Sequence, residues 1–210
     1  MTDRLPTEPL RIFIAGASGV IGIRIVPLLV EAGHIVAGLT RTVSKAARLR
    51  DLGAEPVICD VFDPDALRDA LVSFAPTVVL HELTDLPDVL DDVPGRGGPN
   101  ARIRRVGTHN LLTATAAAGQ ARVLAQSIAW KLPGDGGAAV DEMEAMVLGA
   151  GGVVLRYGQL YGPGTYHQTE RPPPPRIHVD TAAHETVRAL DARPGVLDLV
   201  EAVTAAARPG

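Results

Sequence analysis

The segment Ile12-Phe13-Ile14-Ala15-Gly16-Ala17-Ser18-Gly19-Val20-Ile21-Gly22 constrains the fold more than any other part of the chain. A short apolar run ends in glycine, and an amphipathic stretch begins a few residues later. Glycines at this spacing allow a tight turn, a close backbone approach to an anion, and close packing of a helix on a strand. The helix N-terminus adds partial positive charge beside the exposed backbone N–H groups. The segment therefore reads as the first strand–turn–helix of a dinucleotide-binding βαβ unit. Gly16, Ser18, Gly19, Val20, Ile21 and Gly22 would surround the pyrophosphate.

From Leu10 onward, short apolar runs alternate with amphipathic segments. Strands are expected over 10–15, 34–39, 55–59, 77–80, 122–126 and 152–156. Helices are expected over 19–32, 44–52, 64–74, 102–118 and 140–148. Asp63-Pro64 is a helix start, with the acid as N-cap and the proline in the first turn. Pro27 predicts a kink in the first helix. This rhythm predicts an α/β fold, a doubly wound and Rossmann-like parallel sheet covered on both faces. The expected organisation is a flexible N-terminus over 1–9, an NAD(P)-binding domain over 10–160, and a reduced C-terminal substrate lobe over 161–210. Within that lobe the run Pro172 to Pro175 is stiff and extended, followed by a helix near 181–190 and a strand near 196–200.

Composition narrows the function classes. The 210 residues are 46% hydrophobic and 21% charged, ordinary values for a soluble globular chain. A net charge of −4 with mixed signs argues against a nucleic-acid binder, which needs clustered lysine and arginine. The one tight basic group, Arg102, Arg104 and Arg105, reads as a solvated helix face. Cys59, the only cysteine, reads as a small buried hydrophobe. The six histidines show no ligand spacing with acids or cysteine, so no metal site is expected. No stretch approaches the ~20 apolar residues of a membrane span, and 1–9 is polar, so the expected compartment is the cytoplasm.

The end of the second strand carries the ribose determinant in folds of this kind, and an acid there selects NAD. This chain has Thr40-Arg41 there, with Lys45 close behind. An arginine at that place can pair bidentately with a 2′-phosphate, so NADP is favoured over NAD. Asp60 and Val61, after the third strand, are placed to meet the adenine.

With these residues in hand, the chain resembles the extended and atypical short-chain dehydrogenase/reductases, the NAD(P)-dependent epimerase/dehydratase group. The marks are GASGVIG at 16–22, CDVFD at 59–63, VVLHE at 78–82, GTHNLLTATAAAG at 107–119, AQSIAW at 125–130, LRYGQLYGPG at 155–164 and IHVDTAA at 177–183. The resemblance implies that Leu80 and His81 lie along the cofactor near the ribose and that Asn110 braces the site. It puts Ser127 at the place of a catalytic hydroxyl, and Tyr161-Gly162-Pro163 beneath the nicotinamide. A small-molecule substrate is implied, and a homodimer through the helices after the fourth and fifth strands is the family-like arrangement.

One departure bears on mechanism. Relatives carry Tyr-x-x-x-Lys on the helix after the fifth strand, where the lysine lowers the tyrosine's pKa for acid–base work. The segment 140–150 has neither residue. The candidate catalytic set is then Ser127, Lys131 and Tyr161. Three functions stay open: an NADP-dependent oxidoreductase or epimerase/dehydratase-type enzyme, an NADPH-binding regulatory protein without turnover, and a non-redox cyclase or isomerase on the same fold.

Overall fold

The computed structural model describes residues 8–87, 90, 97–119 and 121–202. Seven parallel strands form one sheet in the order β3-β2-β1-β4-β5-β6-β9. They are β1 (Arg11–Ala15), β2 (Ile35–Thr40), β3 (Glu55–Ile58), β4 (Val78–His81), β5 (Arg122–Ile128), β6 (Val153–Tyr157) and β9 (Gly195–Leu199). The strand order reverses between β1 and β4, and such a switch point opens a crevice at the carboxyl ends of the strands. A separate two-stranded parallel ladder joins β7 (Gln159–Tyr161) to β8 (Arg176–His178), and this ladder has no counterpart in the expectations from sequence.

The helices are α1 (Gly22–Glu31), α2 (Val43–Asp51), α3 (Pro64–Phe74), α4 (Gly97–Arg102), α5 (Thr108–Ala117), α6 (Gly134–Gly149) and α7 (Val179–Arg188). Alternation along the strands divides the core into two layers. Ile12, Ile14, Leu80, Leu124 and Leu155 face α1 and α7. Phe13, Ala15, Leu39 and Val79 face α3 and α5. Phe13, Ile12 and Ile14 are fully buried, and burying each such side chain stabilises the fold by about 1.5–3 kcal/mol.

Several boundaries differ from the sequence expectation for identifiable reasons. The first helix begins at Gly22 and not at residue 19, because 16–21 form the turn. It runs through Pro27 as a single helix. Asp63 caps α3 as expected, accepting from the Ala66 N–H at 3.0 Å. The fifth strand extends to Ile128, which puts Ser127 inside the sheet. α6 begins at Gly134, six residues early, and its glycine-rich start is anchored by Arg105, which binds Asp135 and Glu142 one above the other. Between α4 and α5 the helix widens into a π turn over Ile103–Gly107. Most of the segment expected to be flexible, 1–7, lies outside the described residues, as do 88–89 and 91–96 of the loop after β4.

Candidate cofactor and substrate cleft

The turn after β1 is shaped by close approaches of backbone to backbone. Gly16 has φ +95°, and a Cβ there would stand 2.5 Å from the Glu82 carbonyl oxygen. At Gly22 a Cβ would stand 2.4 Å from the Gly16 carbonyl oxygen. No other residue lets the loop fold so tightly over β4 and under α1. The Gly19 N–H donates to the Gly16 carbonyl at 2.9 Å, which leaves Gly19 and Val20 exposed at the crest.

Beside this loop lies a cleft of about 170 Å³. Gly16, Ser18 and Gly19 form one wall; Thr40, Arg41 and Lys45 form the end beyond β2; Cys59 and Val61 lie after β3. Glu82, Leu83 and Thr84 line it from β4. Six of the residues expected around a dinucleotide therefore meet in one place: Gly16, Ser18, Gly19, Thr40, Arg41 and Val61. Ile21 and Gly22 are buried beneath the loop. Leu80 sits in the core below the cleft floor. Asp60 turns its carboxylate back to accept from the Phe62 N–H at 2.9 Å. Asn110 braces this region, donating to the Val61 carbonyl at 2.9 Å.

His81 and Glu82 leave β4 on opposite faces. His81 is buried, with Nε2 2.8 Å from the Thr108 hydroxyl and Nδ1 accepting from the Leu83 N–H. Burial, with the Arg104 charge adding to it, pushes its imidazole down to about 4, so the ring is neutral. Glu82 points to the other layer, where its Oε1 accepts from the Tyr157 hydroxyl at 3.2 Å, and that hydroxyl also meets Thr186.

At the ends of β5 and β6 a second cluster forms. The Ser127 hydroxyl donates to Glu144 Oε1 at 2.5 Å, and Arg156 Nε donates to the same oxygen at 2.9 Å. Burial pushes Glu144 up, but the hydrogen bonds from Arg156 and Ser127 and the charges of Arg156 and Lys131 outweigh it, so the carboxyl lies below its ordinary range. Lys131 is exposed at the rim. Tyr161 does not join this group: its hydroxyl donates to Glu201, which also holds Arg176 at 3.1 Å, and its ring meets His178 edge-on.

Arg102 at the end of α4 and Arg104 and Arg105 of the π turn are not one solvated face. Arg102 stacks over Phe62 at 3.9 Å, and Arg105 is held by Asp135 and Glu142. Arg104 turns inward, where burial lowers its pKa and Glu144 is the opposing charge. The wider π turn separates these neighbours, a local effect that helical periodicity does not reveal. Glu82, Arg104 and Glu144 are the site residues that sequence reasoning passed over. α6 contains no tyrosine and no lysine, and the polar side chain it buries against β5 is Glu144. Among the described residues no His/Cys/Asp/Glu group could hold a metal ion, and no helix is long and apolar enough to cross a membrane.

Comparison with known proteins gives a consistent picture. A family profile described as NAD(P)H-binding matches residues 16–148. A 3-diazoavenalumate denitrifying reductase from a Streptomyces species is 38% identical over 180 residues. That match covers 74% of this chain and 58% of the relative, so the chain spans little more than half of that protein's length. An oxidoreductase of the short-chain dehydrogenase/reductase family from Burkholderia thailandensis has a TM-score of 0.75 at 18% identity, covering 92% of each chain. UDP-glucose 4-epimerase from Thermotoga maritima, solved with UDP-glucose, gives 0.74 at 16% identity, over 90% of this chain and 76% of that one. At such identities these likenesses are of fold.

Proposed function

Because the chain belongs to the NAD(P)H-binding family, we propose that it is an NADPH-dependent reductase of the short-chain dehydrogenase/reductase type. Its acceptor is one that is already electron-poor and needs no phenolic proton donor. The observation that carries this reading is the Ser127–Glu144 contact at 2.5 Å on a helix without tyrosine or lysine.

The cleft fits a dinucleotide. At Gly16 and Gly22 a Cβ would strike backbone, so glycine is what lets the loop close, and Gly19 stands exposed at the crest for the pyrophosphate. Arg41 and Lys45, both exposed at the far end, suit a 2′-phosphate. When bound, the nicotinamide supplies a hydride equivalent.

Ser127 has one proton, and it is committed to Glu144, so the hydroxyl can accept from a substrate but not donate to it. Reduction of a ketone forms an alkoxide that needs a proton. An aryl diazonium acceptor does not: hydride added to Ar–N₂⁺ gives the arene and dinitrogen, with atoms and charge balanced. The 38% identical reductase is named for a diazo substrate, which supports this class. Arg104, Lys131 and Arg156 all act on Glu144 at this end, with Asp198 and Asp141 also acting on Arg156, and this group of cations suits an anionic acceptor such as an aryl carboxylate.

The test is NADPH consumption with 4-carboxybenzenediazonium as acceptor, with benzoate and nitrogen gas measured as products. Stoichiometric formation of both is expected. Rapid turnover of simple ketones with no turnover of the diazonium would overturn the acceptor class, and binding without any turnover would favour a regulatory protein.

A further inference from the structure

Arg24, in the first turn of α1, joins the glycine loop to two segments from the far end of the chain. Its Nη1 donates to the Val20 carbonyl at 2.7 Å, its Nε to Asp180 Oδ1 at 2.8 Å, and its Nη2 to the Pro163 carbonyl. One planar fork thus holds the crest of the loop, the turn after β7 and the first turn of α7. An exposed ion pair contributes little, but only 20% of the Arg24 side chain is exposed, and two of its three acceptors are backbone carbonyls.

The first of these contacts sets the direction of a peptide group. A regular α-helix would give the Val20 carbonyl to the backbone N–H four residues on, but the Arg24 N–H goes to the Ile21 carbonyl at 2.9 Å. The Arg24 side chain takes its place. The carbonyl and N–H of a trans peptide point in opposite directions, so a fixed Val20 carbonyl fixes the Ile21 N–H. That N–H lies at the start of α1, where no side chain caps the helix and no acid occupies the first turn. It meets no backbone acceptor among the described residues, and free N–H groups at a helix start suit an ionised phosphate.

The other two contacts hold a wall beside that N–H. The turn over 162–167 is braced by its own bonds: the Gly162 N–H donates to the His167 carbonyl at 2.9 Å, and the Thr165 hydroxyl to the Gly162 carbonyl at 2.8 Å. It meets Arg24 through Pro163 and, through the Tyr166 hydroxyl, the Pro87 carbonyl in the loop after β4. That loop begins with Leu83 and Thr84, which line the cleft. The turn therefore runs from the loop after β1 to the loop after β4, the two strands between which the crevice opens. Arg24 is where it is tied to the glycine crest.

We propose that Arg24 is a positioning residue of the dinucleotide site. By holding the Val20 carbonyl it aims the Ile21 N–H at the pyrophosphate, and by holding Pro163 and Asp180 it keeps the 162–167 turn in register with that N–H. This rests on the dinucleotide reading of the cleft. Arg24 acts through the backbone, and its own charge is met by Asp180, so it is not itself the phosphate ligand. A lysine would keep the charge but not the role, because one ammonium does not span three partners set around a planar fork.

The experiment compares NADPH with adenosine 2′-monophosphate, which lacks the pyrophosphate, by calorimetry and by displacement of NADPH fluorescence. Arg24→Met keeps an apolar stem and suits a helix. In this variant the Kd for NADPH is expected to rise about tenfold or more, and that for adenosine 2′-monophosphate to stay within about twofold. Hydrogen exchange of the ligand-free variant is expected to quicken in 17–23 and 162–167 together and to stay unchanged in β1 and β4. Unchanged NADPH affinity, equal losses for both ligands, or faster exchange in one of the two segments alone would overturn the proposal while leaving the dinucleotide site standing. If R24M does not fold, R24K decides: the same selective loss is expected, and NADPH affinity equal to that of the unaltered protein would overturn the proposal. Folded, unaltered protein that binds neither ligand would overturn the dinucleotide reading and this assignment together.

Discussion

His81 and Glu82 are consecutive in the chain, lie on opposite faces of the sheet, and are both held uncharged by burial. Their effects on stability have opposite signs. His81 is lowered from 6.5 to about 4, so its contribution is present above 6.5 and lost as pH falls towards 4. Glu82 is raised from 4.5 to about 8, so its contribution is present below 4.5 and lost as pH rises towards 8. Between 4.5 and 6.5 the two slopes, each about 1.4 kcal/mol per unit, oppose and cancel.

Denaturant midpoints of the unaltered protein against E82Q expose this balance. The variant is expected to gain about 2–3 kcal/mol relative to the unaltered protein as pH rises from 4.5 to 6.5, and to keep gaining towards 8. Parallel profiles for the two proteins would mean that Glu82 titrates normally.

Arg41→Asp separates the two nicotinamide cofactors. Arg41 is exposed, 4.0 Å from Asp85 and at the cleft end beside Lys45. Loss of a charge-assisted contact costs about 1.5–3 kcal/mol, so NADPH affinity is expected to fall about tenfold or more while NADH affinity changes little. Equal losses for both, measured by titration, would remove Arg41 from 2′-phosphate recognition.

Ser127 and Glu144 should part company on substitution. Ser127→Ala removes a hydroxyl that has no proton to give, and kcat is expected to fall less than about tenfold. Glu144→Ala leaves the partly buried Arg156 without its partner and is expected to cost about 2–3 kcal/mol of stability, below the range for fully buried pairs because Arg156 is partly solvated. Steady-state rates and denaturant midpoints give both answers. A collapse of kcat in S127A with normal stability would restore Ser127 as a proton donor.

Gly16→Val places a branched side chain at φ +95° against the Glu82 carbonyl. A destabilisation of about 3 kcal/mol or more is expected, with cofactor binding lost in whatever folds.

Cys59 lines the cleft, and burial, then Asp63 and Asp60, push its thiol up. Alkylation at neutral pH is expected to be slow and slower still with NADPH present. Fast labelling that ignores NADPH would place the cofactor elsewhere.

Much of this was legible in the sequence. The glycine spacing, the cap at Asp63 and the alternation of apolar runs each rest on local chemistry, and each found its place in the structure. Arg41 was legible because strand β2 has a definite end. What stayed hidden depends on which side chains meet after folding. Glu144 reads as one more acid on an acidic helix until Arg156, from a strand, closes on it. Glu82 reads only as the neighbour of His81 at a strand end, its side chain on the opposite face, and Tyr157 and Thr186, 75 and 104 positions away by the numbering, reveal it as a buried acid. The start of α6 was hidden by its glycines, whose poor helix propensity is overruled by Arg105 from another helix.

The π turn at Ile103–Gly107 sets a rotational phase. Each residue advances an α-helix by about 100°, and a π turn has the character of a one-residue insertion accommodated without breaking the helix. Deleting a single residue there would restore a regular α-helix and swing α5 by about that angle relative to α4. Thr108 would then leave His81, Asn110 would leave the Val61 carbonyl, and Arg104 would turn away from Glu144. One supernumerary residue thus lets a single helical rod brace Val61 at the cleft and reach the Ser127–Glu144 cluster at once.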